Sequence, residues 1–299
     1  MNTRQQKTTV KWEGVITNIQ GNVLTKLAHH KFLTLSQLLR LNVGTTQYKY
    51  LWKQVASLRD RRKPLVKSQR FSSVAPHING KPPERVEDLY YLSKEGERAL
   101  REELAFEGLV KIPIGRRLAY KDYRHRKSVI DFQISLDTWA SSNEVAIPFF
   151  DTYFEKTGDN RKNKNLRAKT RIDFGNNSFF IPDAVFQVIG QEKRRLFLFE
   201  MYRGSDPIRT ISQLNQHGVA MVNRHTHAAY NIPTNKAYYI VLLFEKESLK
   251  KSVIERIKKN EPAFNKIEKY FRLKCITDIK EGDFYDNWLT LHGSSTGLI

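Results

Sequence analysis

Residues 171–203, RIDFGNNSFFIPDAVFQVIGQEKRRLFLFEMYR, constrain the fold of this chain more than any other stretch. Asp183 lies in IPDAVFQVI and Glu200 in RRLFLFEMY, each flanked by β-branched and aromatic residues that favour buried strands. Gly190 and the polar Gln191, Glu192 and Lys193 make a short reversal between them, which predicts a hairpin. Its strands would bring two carboxylates together at the end of a sheet.

Such a pair suits Mg²⁺ or Mn²⁺, hard cations that use one or two carboxylates together with water and substrate phosphate. The alternative is structural: Asp183 caps the turn after Pro182, and Glu200 pairs with an arginine nearby. The order Pro-Asp, strand, Glu-x-Tyr resembles the PD-(D/E)XK nuclease core, with one departure. Tyr202 stands where that core has lysine, two places after the second acid.

Charge narrows the partner. The net +20 is uneven: residues 1–130 hold 26 lysines and arginines against 11 acids, and the remainder 25 against 20. The N-terminal part is therefore expected to meet a polyanion, and double-stranded DNA is the first candidate because the cations are interleaved with a foldable pattern. A membrane partner is not expected, since no apolar run approaches 18 residues and no basic amphipathic helix stands alone. The opening MNTRQQKTTVKWEG lacks the apolar core of a signal peptide, and Cys275 is the only cysteine, so a cytoplasmic location without an internal disulfide or multi-cysteine zinc site is expected.

Apolar spacing predicts a helix over 14–28, a second opened by Thr34, and a third, TQYKYLWKQVASLRDRR, that turns Leu51, Val55 and Leu58 inward. Short strands at 64–67 and 88–92 flank a loop over 70–86, and Ser93 caps the helix SKEGERALREEL. Together these resemble a winged helix-turn-helix domain, with LYYLSKEGERAL as its strand-to-helix ending. In that fold the third helix enters the major groove. Gln47, Lys49, Tyr50, Lys53 and Gln54 then become the candidate recognition face, and Arg59, Arg61, Arg62, Lys63 and Lys67 the candidate phosphate contacts. The competing reading puts Tyr50 and Trp52 in the core and leaves the arginines as a solvated face.

The expected boundaries are a DNA-binding domain over 1–105, a linker over 106–124 around Pro113, Gly115 and Arg116, and a second domain over 125–299. That second domain should open on a helix from His125, followed by a strand at 144–153, the polar loop GDNRKNKN and the acidic hairpin. Ser205 or Asp206 then caps a helix begun by Pro207, in which Arg209, Gln213 and His217 share a face and Ile208, Ile211 and Leu214 pack inward. AYYIVLLF reads as a central strand, KESLKKSVIERIKK as a helix with solvated lysines, YFRLKCITDI as a strand, Trp288 as part of a last helix, and Gly293–Gly297 as a flexible end. The order matches a restriction-endonuclease-like αβββαβ core, giving an α/β (α+β) chain.

Taken in order, YYLSKEGERAL, the His125 helix entry, IPDAVFQV, LFLFEMYRG, YIVLLFEKESLKKSVIERI and FRLKCITDIKEGDFYDNWL resemble the replication-relaxation family of plasmid and mobile-element proteins, which includes relaxases of the MobC type. The resemblance implies a protein that binds an origin of transfer or replication and nicks or opens the DNA there. It implies Asp183 and Glu200 as the acidic pair that holds the metal; Tyr202 departs from the pattern at the lysine position, and in the preferred mechanism Gln213 with nearby basic residues orients the phosphate. Lys193, Arg194, Arg195 or Arg203 would have to supply the charge that lysine gives elsewhere. Relaxosome or replication proteins are expected partners, and a homodimer on an inverted repeat is compatible with a winged helix.

Two other chemistries are weighed. Tyr202, Tyr238 or Tyr239 could attack a phosphodiester, and His225-Thr226-His227 offers a His-x-His metal pattern against the alternative of a surface turn. His29-His30 is expected at a helix end, where protonated imidazole is favoured. The non-enzymatic alternative is an accessory or regulatory DNA-binding protein whose Tyr202 marks a decayed nuclease site.

Overall fold

The computed structural model describes residues 15–71, 86–107, 117–158, 166–190, 194–260, 262–279 and 284–298. Its contacts divide the chain into two compact units, Met1–Ile130 and Asp131–Ile299. The division falls inside one continuous helix rather than within 106–124, and residues 108–116 of that expected linker lie outside the described residues.

The first unit contains α1 (Asn18–His30), α2 (Leu35–Arg40), α3 (Tyr48–Arg59), β1 (Val66–Gln69), β2 (Leu89–Leu92), α4 (Lys94–Glu102) and the start of α5 (Tyr120–Ser142). Thr17 and Thr34 each begin a helix with a reciprocal capping box, to Gln20 and Gln37, which satisfies amide donors that a first turn otherwise leaves open. Val15 precedes the Thr17 cap and is 91% exposed, so the first helix starts later than its apolar spacing predicts. Leu51, Val55 and Leu58 are buried as their spacing requires, alongside Val23, Leu24, Leu27 and Leu38.

β1 and β2 pair antiparallel, Val66 opposite Leu92 and Gln69 opposite Leu89. Leu33 exchanges both backbone hydrogen bonds with Tyr90 at 2.8 and 3.0 Å, which ties the α1–α2 connection to the hairpin. Ser93 caps α4 by accepting from the Gly96 amide at 3.0 Å. The loop expected between the strands falls largely on residues 72–85, outside the described residues.

The second unit is built on a seven-stranded mixed sheet. Its strands are β3 (Phe150–Thr152), β8 (Ala184–Ile189), β9 (Arg194–Tyr202), β10 (Tyr239–Phe244), β11 (Phe271–Cys275), β12 (Trp288–Leu289) and β13 (Ser295–Thr296), in the spatial order β13-β12-β11-β10-β9-β8-β3. The two small hairpins β4 (Lys156–Thr157) with β5 (Arg167–Ala168), and β6 (Ile172–Gly175) with β7 (Ser178–Phe180), complete the numbering. β10 runs parallel to both β9 and β11, while β8, β3 and β12 pair antiparallel to their neighbours. The central β10 is apolar throughout because both of its faces are covered.

Alternation along β9 sends Phe197 and Phe199 to one face, and Leu196, Leu198, Glu200 and Tyr202 to the other. On the first face Phe132 of α5 stacks on Phe199 with centroids 4.2 Å apart. On the second, α6 (Pro207–Val222) and α8 (Glu247–Asn260) contribute Ile211, Leu214, Val253 and Ile257 to the core that holds Leu198 and Tyr202. The short helix α7 (His225–Ala229) follows α6.

Several expectations are corrected. The helix entered at His125 begins at Tyr120, and the strand expected over 144–153 shortens to Phe150–Thr152 with a bridge from Ala146 to Ile189. Trp288 lies in β12 and not in a helix, and Ser295–Thr296, expected to be a flexible end, forms the edge strand β13. Ile208 is 66% exposed where an inward contact was expected. Lys250, expected to be solvated, is buried and reaches Glu247 at 2.9 Å. The polar loop over 159–165 and the turn residues Gln191, Glu192 and Lys193 lie outside the described residues.

Candidate functional site

The hairpin brings the two acids together. Ala184 is opposite Phe199 in the β8–β9 ladder, so Asp183, one step before, faces Glu200, one step beyond. Asp183 Oδ2 accepts from the Met201 amide at 2.8 Å, which fixes its carboxylate against β9. This bond runs across the hairpin to β9.

Glu200 meets a histidine. Asp206 caps α6 by accepting from the Ile208 and Arg209 amides at 2.9 and 3.1 Å, and Pro207 occupies the first turn. The helix then carries His217 back over β9, where Nε2 lies 2.8 Å from Glu200 Oε1. Phe180 stands edge-on to the imidazole at 4.9 Å and helps to keep water from it. Burial holds the His217 pKa down at about 3. Burial, and then the neighbouring Asp183 charge, push the Glu200 carboxyl well above the usual range, opposed by a backbone hydrogen bond at Asp183.

Tyr202 lies two residues on, on the same face. It is buried and leans against Phe244 with centroids 5.3 Å apart, and among the described residues its hydroxyl has no hydrogen-bond partner. Burial, then Glu200 and Asp183, hold the phenol well above its ordinary pKa. Tyr238 is fully buried, and burial raises its phenol too. Both hydroxyls are kept protonated, the opposite of what a nucleophilic tyrosine needs.

Of the cations considered as lysine substitutes, three are engaged elsewhere, and Lys193 lies outside the described residues. Arg203 pairs with Glu245 at 3.4 Å, Arg194 donates to Gln187 at 2.9 Å, and Arg195 lies over the Tyr239 ring at 5.2 Å. Among the described residues no lysine or arginine pairs with Glu200; its partner is an imidazole. Gln213 is exposed on α6, one turn before His217, and makes no hydrogen bond to the acids. The four-residue repeat of Arg209, Gln213 and His217 carried the signal for this face, but the contact belongs to His217.

Two facing carboxylates are the oxygen donors that a hard divalent cation takes, and such a cation would offset the burial and the Asp183 charge that raise the Glu200 pKa. Elsewhere, Glu247, Cys275 and Asp278 bring ligand atoms within 4.8 Å of one another. There the Glu247 carboxylate already takes the Lys250 ammonium at 2.9 Å, and burial raises the Cys275 thiol to about 12.

In the first unit, α3 presents Lys49, Tyr50 and Lys53 to solvent, with Gln47 exposed at its N-cap. Tyr50 and Trp52 are 44% and 45% exposed, which overturns their reading as core residues. Gln54 is occupied structurally, accepting from the buried Gln20 at 3.1 Å. Arg59 is held by Asp60 through two hydrogen bonds of 2.8 and 3.0 Å, and Arg61 reaches Gln20 at 3.5 Å. Arg62, Lys63 and Lys67 point to solvent.

His225 and His227 do not share a site: His227 is buried, with Nε2 at 2.9 Å from the Lys236 carbonyl, while His225 lies beside Phe174. His29 does end α1 and is exposed there; partial desolvation, reinforced by Lys26, lowers its pKa, which works against the expected protonation. Among the described residues no helix is long and apolar enough to cross a membrane. No family model, no curated protein and no solved structure matches this chain.

Proposed function

We propose that this chain is a DNA-binding protein of a plasmid or other mobile element that cleaves one strand at an origin of transfer or replication, with Asp183 and Glu200 holding Mg²⁺ or Mn²⁺. The observation that carries the reading is the pair of acids that the β8–β9 register sets opposite each other, with the Asp183 carboxylate fixed by the Met201 amide. The fold supports it coarsely: helices with a β-hairpin in the first unit, and a mixed sheet flanked by helices in the second. We read these as a winged helix and a restriction-endonuclease-like domain.

When bound, the cation would polarise the phosphodiester and lower the pKa of a water. The chain's own residues do the rest. The Met201 amide orients Asp183, and His217 orients Glu200 and can hold a proton at Nε2 next to the acids. Phe180 and Tyr202 limit water behind them. Arg209 and Gln213, exposed on the outer part of α6, are available to a phosphate. The basic first unit supplies affinity for duplex DNA in the cytoplasm, in company with relaxosome or replication proteins.

A second reading, an accessory DNA-binding protein without catalysis, is favoured by Tyr202, which is buried beside both acids where a lysine would supply charge. Relaxation of supercoiled plasmid carrying the native origin separates the two. With Mn²⁺, nicking by the wild type that is lost in Asp183→Ala and Glu200→Ala, with DNA binding retained, is expected. Specific binding without nicking, with the element's partner proteins added, would give the second reading.

A further inference from the structure

Beside α3 the first unit carries a cavity of about 530 Å³ whose wall is made by Tyr48 and Trp52. These two residues are four apart and so share one helix face, and they are 50% and 45% exposed. Leu35 and Tyr90, both buried, line it on the core side. Its polar groups are Glu87, Asp88 and Arg70. Glu87 Oε1 accepts from the Ser36 amide and hydroxyl at 3.2 and 2.6 Å, and Asp88 Oδ2 takes Arg70 at 3.2 Å. That leaves Glu87 Oε2 and Asp88 Oδ1 as acceptors, suited to an exocyclic amino group.

Lys49 and Lys53 lie one residue on from each aromatic, about 100° further round the helix, so a cationic stripe runs along the open side of the aromatic pair. Duplex edges are read by arginine, lysine, asparagine or glutamine, but on α3 Gln54 is tied to Gln20, Arg59 is tied to Asp60, and each of the two lysines follows a half-exposed aromatic. Half-exposed aromatics interleaved with lysines are instead the pattern that stacks unpaired bases and tracks their phosphates.

We propose that this cavity receives an unstacked base with an exocyclic amino group, guanine, adenine or cytosine but not thymine, from a locally unpaired DNA strand. Tyr48 and Trp52 stack on the base, and Lys49 and Lys53 hold the flanking phosphates. The inference rests on the DNA-binding reading above and names the state of the DNA that this face prefers. It gives the first unit a part in holding an origin open, beyond locating it.

Fluorescence anisotropy of labelled duplexes, one fully paired and one with a central unpaired bubble of cytosines, tests it on the full-length protein. The bubble should bind more tightly by about 5- to 150-fold, the range expected for one stacked base. Trp52→Ala should abolish that preference while leaving the fully paired affinity unchanged; its side chain is largely outside the core, and circular dichroism checks the fold. Lys49→Ala with Lys53→Ala should weaken both duplexes alike. Equal affinity for the two duplexes, or an equal loss on both in Trp52→Ala, overturns the base site alone. Failure to bind either overturns the DNA-binding reading and the base site with it.

Discussion

His217 Nε2 lies 2.8 Å from Glu200 Oε1, between side chains that are 1% and 12% exposed. The contact makes an acid and a base from different elements into one titrating unit. In the fold Glu200 is held protonated by burial and by Asp183, and His217 is held neutral by burial, so the pair carries one proton.

The pH dependence of stability follows from that count. Unfolded, the pair carries two protons below about pH 4.5, one between about 4.5 and 6.5, and none above. Just above pH 4.5 the folded and the unfolded pair each carry one proton, so the contribution is flat there; it falls as pH drops from about 4.5 towards 3, where the unfolded pair takes a second proton and the folded His217 does not. In Glu200→Gln only the depressed His217 remains, and stability should fall as pH drops from about 6.5 towards 3, at roughly 1.4 kcal/mol per pH unit. In His217→Asn only the raised Glu200 remains, and stability should instead fall as pH rises above about 4.5. Urea melts across pH read both slopes; two variants with the same profile would contradict the shared proton.

Tyr202→Phe removes a buried hydroxyl that has no hydrogen-bond partner among the described residues. The variant should be as stable as the wild type or more so by about 1 kcal/mol, since an unsatisfied polar group is removed. Nicking should persist, because the phenol is held protonated. An intact fold that no longer nicks would assign the chemistry to the tyrosine.

Gly96 sits in the first turn of α4, where an added Cβ would lie 2.1 Å from the Leu65 carbonyl oxygen. That oxygen also accepts from the Ser93 amide at 3.0 Å, so it is held in place and cannot give way cheaply. Gly96→Ala should destabilise the first unit by about 2–3 kcal/mol, within the range for forced overpacking. A melting temperature equal to that of the wild type would show that β1 moves freely against α4.

Phe132 fills the opposite face of the large sheet, stacked on Phe199 and in ring contact with Phe150, Phe186 and Phe284. Phe132→Ala should cost about 3–5 kcal/mol, transfer and cavity together. Denaturant unfolding measures it; a loss under about 1 kcal/mol would mean that α5 repacks over the gap.

Much of the frame was legible because it rests on local chemistry. The acidic hairpin follows from two β-rich runs with a polar break, and the start of α6 from Asp206-Pro207, a cap and a first-turn residue. The inward face of α3 follows from Leu51, Val55 and Leu58, which keep helical spacing. What was missed depends on tertiary contact. β12 is two residues long, so Trp288 has no alternation to betray a strand; the pairing with β11 makes it one. Gln213 and His217 share a helix face, yet a four-residue step moves a side chain about 6 Å along the axis, and only His217 reaches Glu200. Trp52 reads as core by composition, whereas its place beside Lys53, away from Leu51 and Val55, leaves it facing solvent.

Calorimetric titration of the protein with Mn²⁺, beside Asp183→Asn and Glu200→Gln, measures directly whether the two acids act as one cation site. The account predicts saturable binding by the wild type that both single variants lose, with their folds intact. Mn²⁺ binding that survives in either variant, or none by the wild type with origin DNA present, would contradict it.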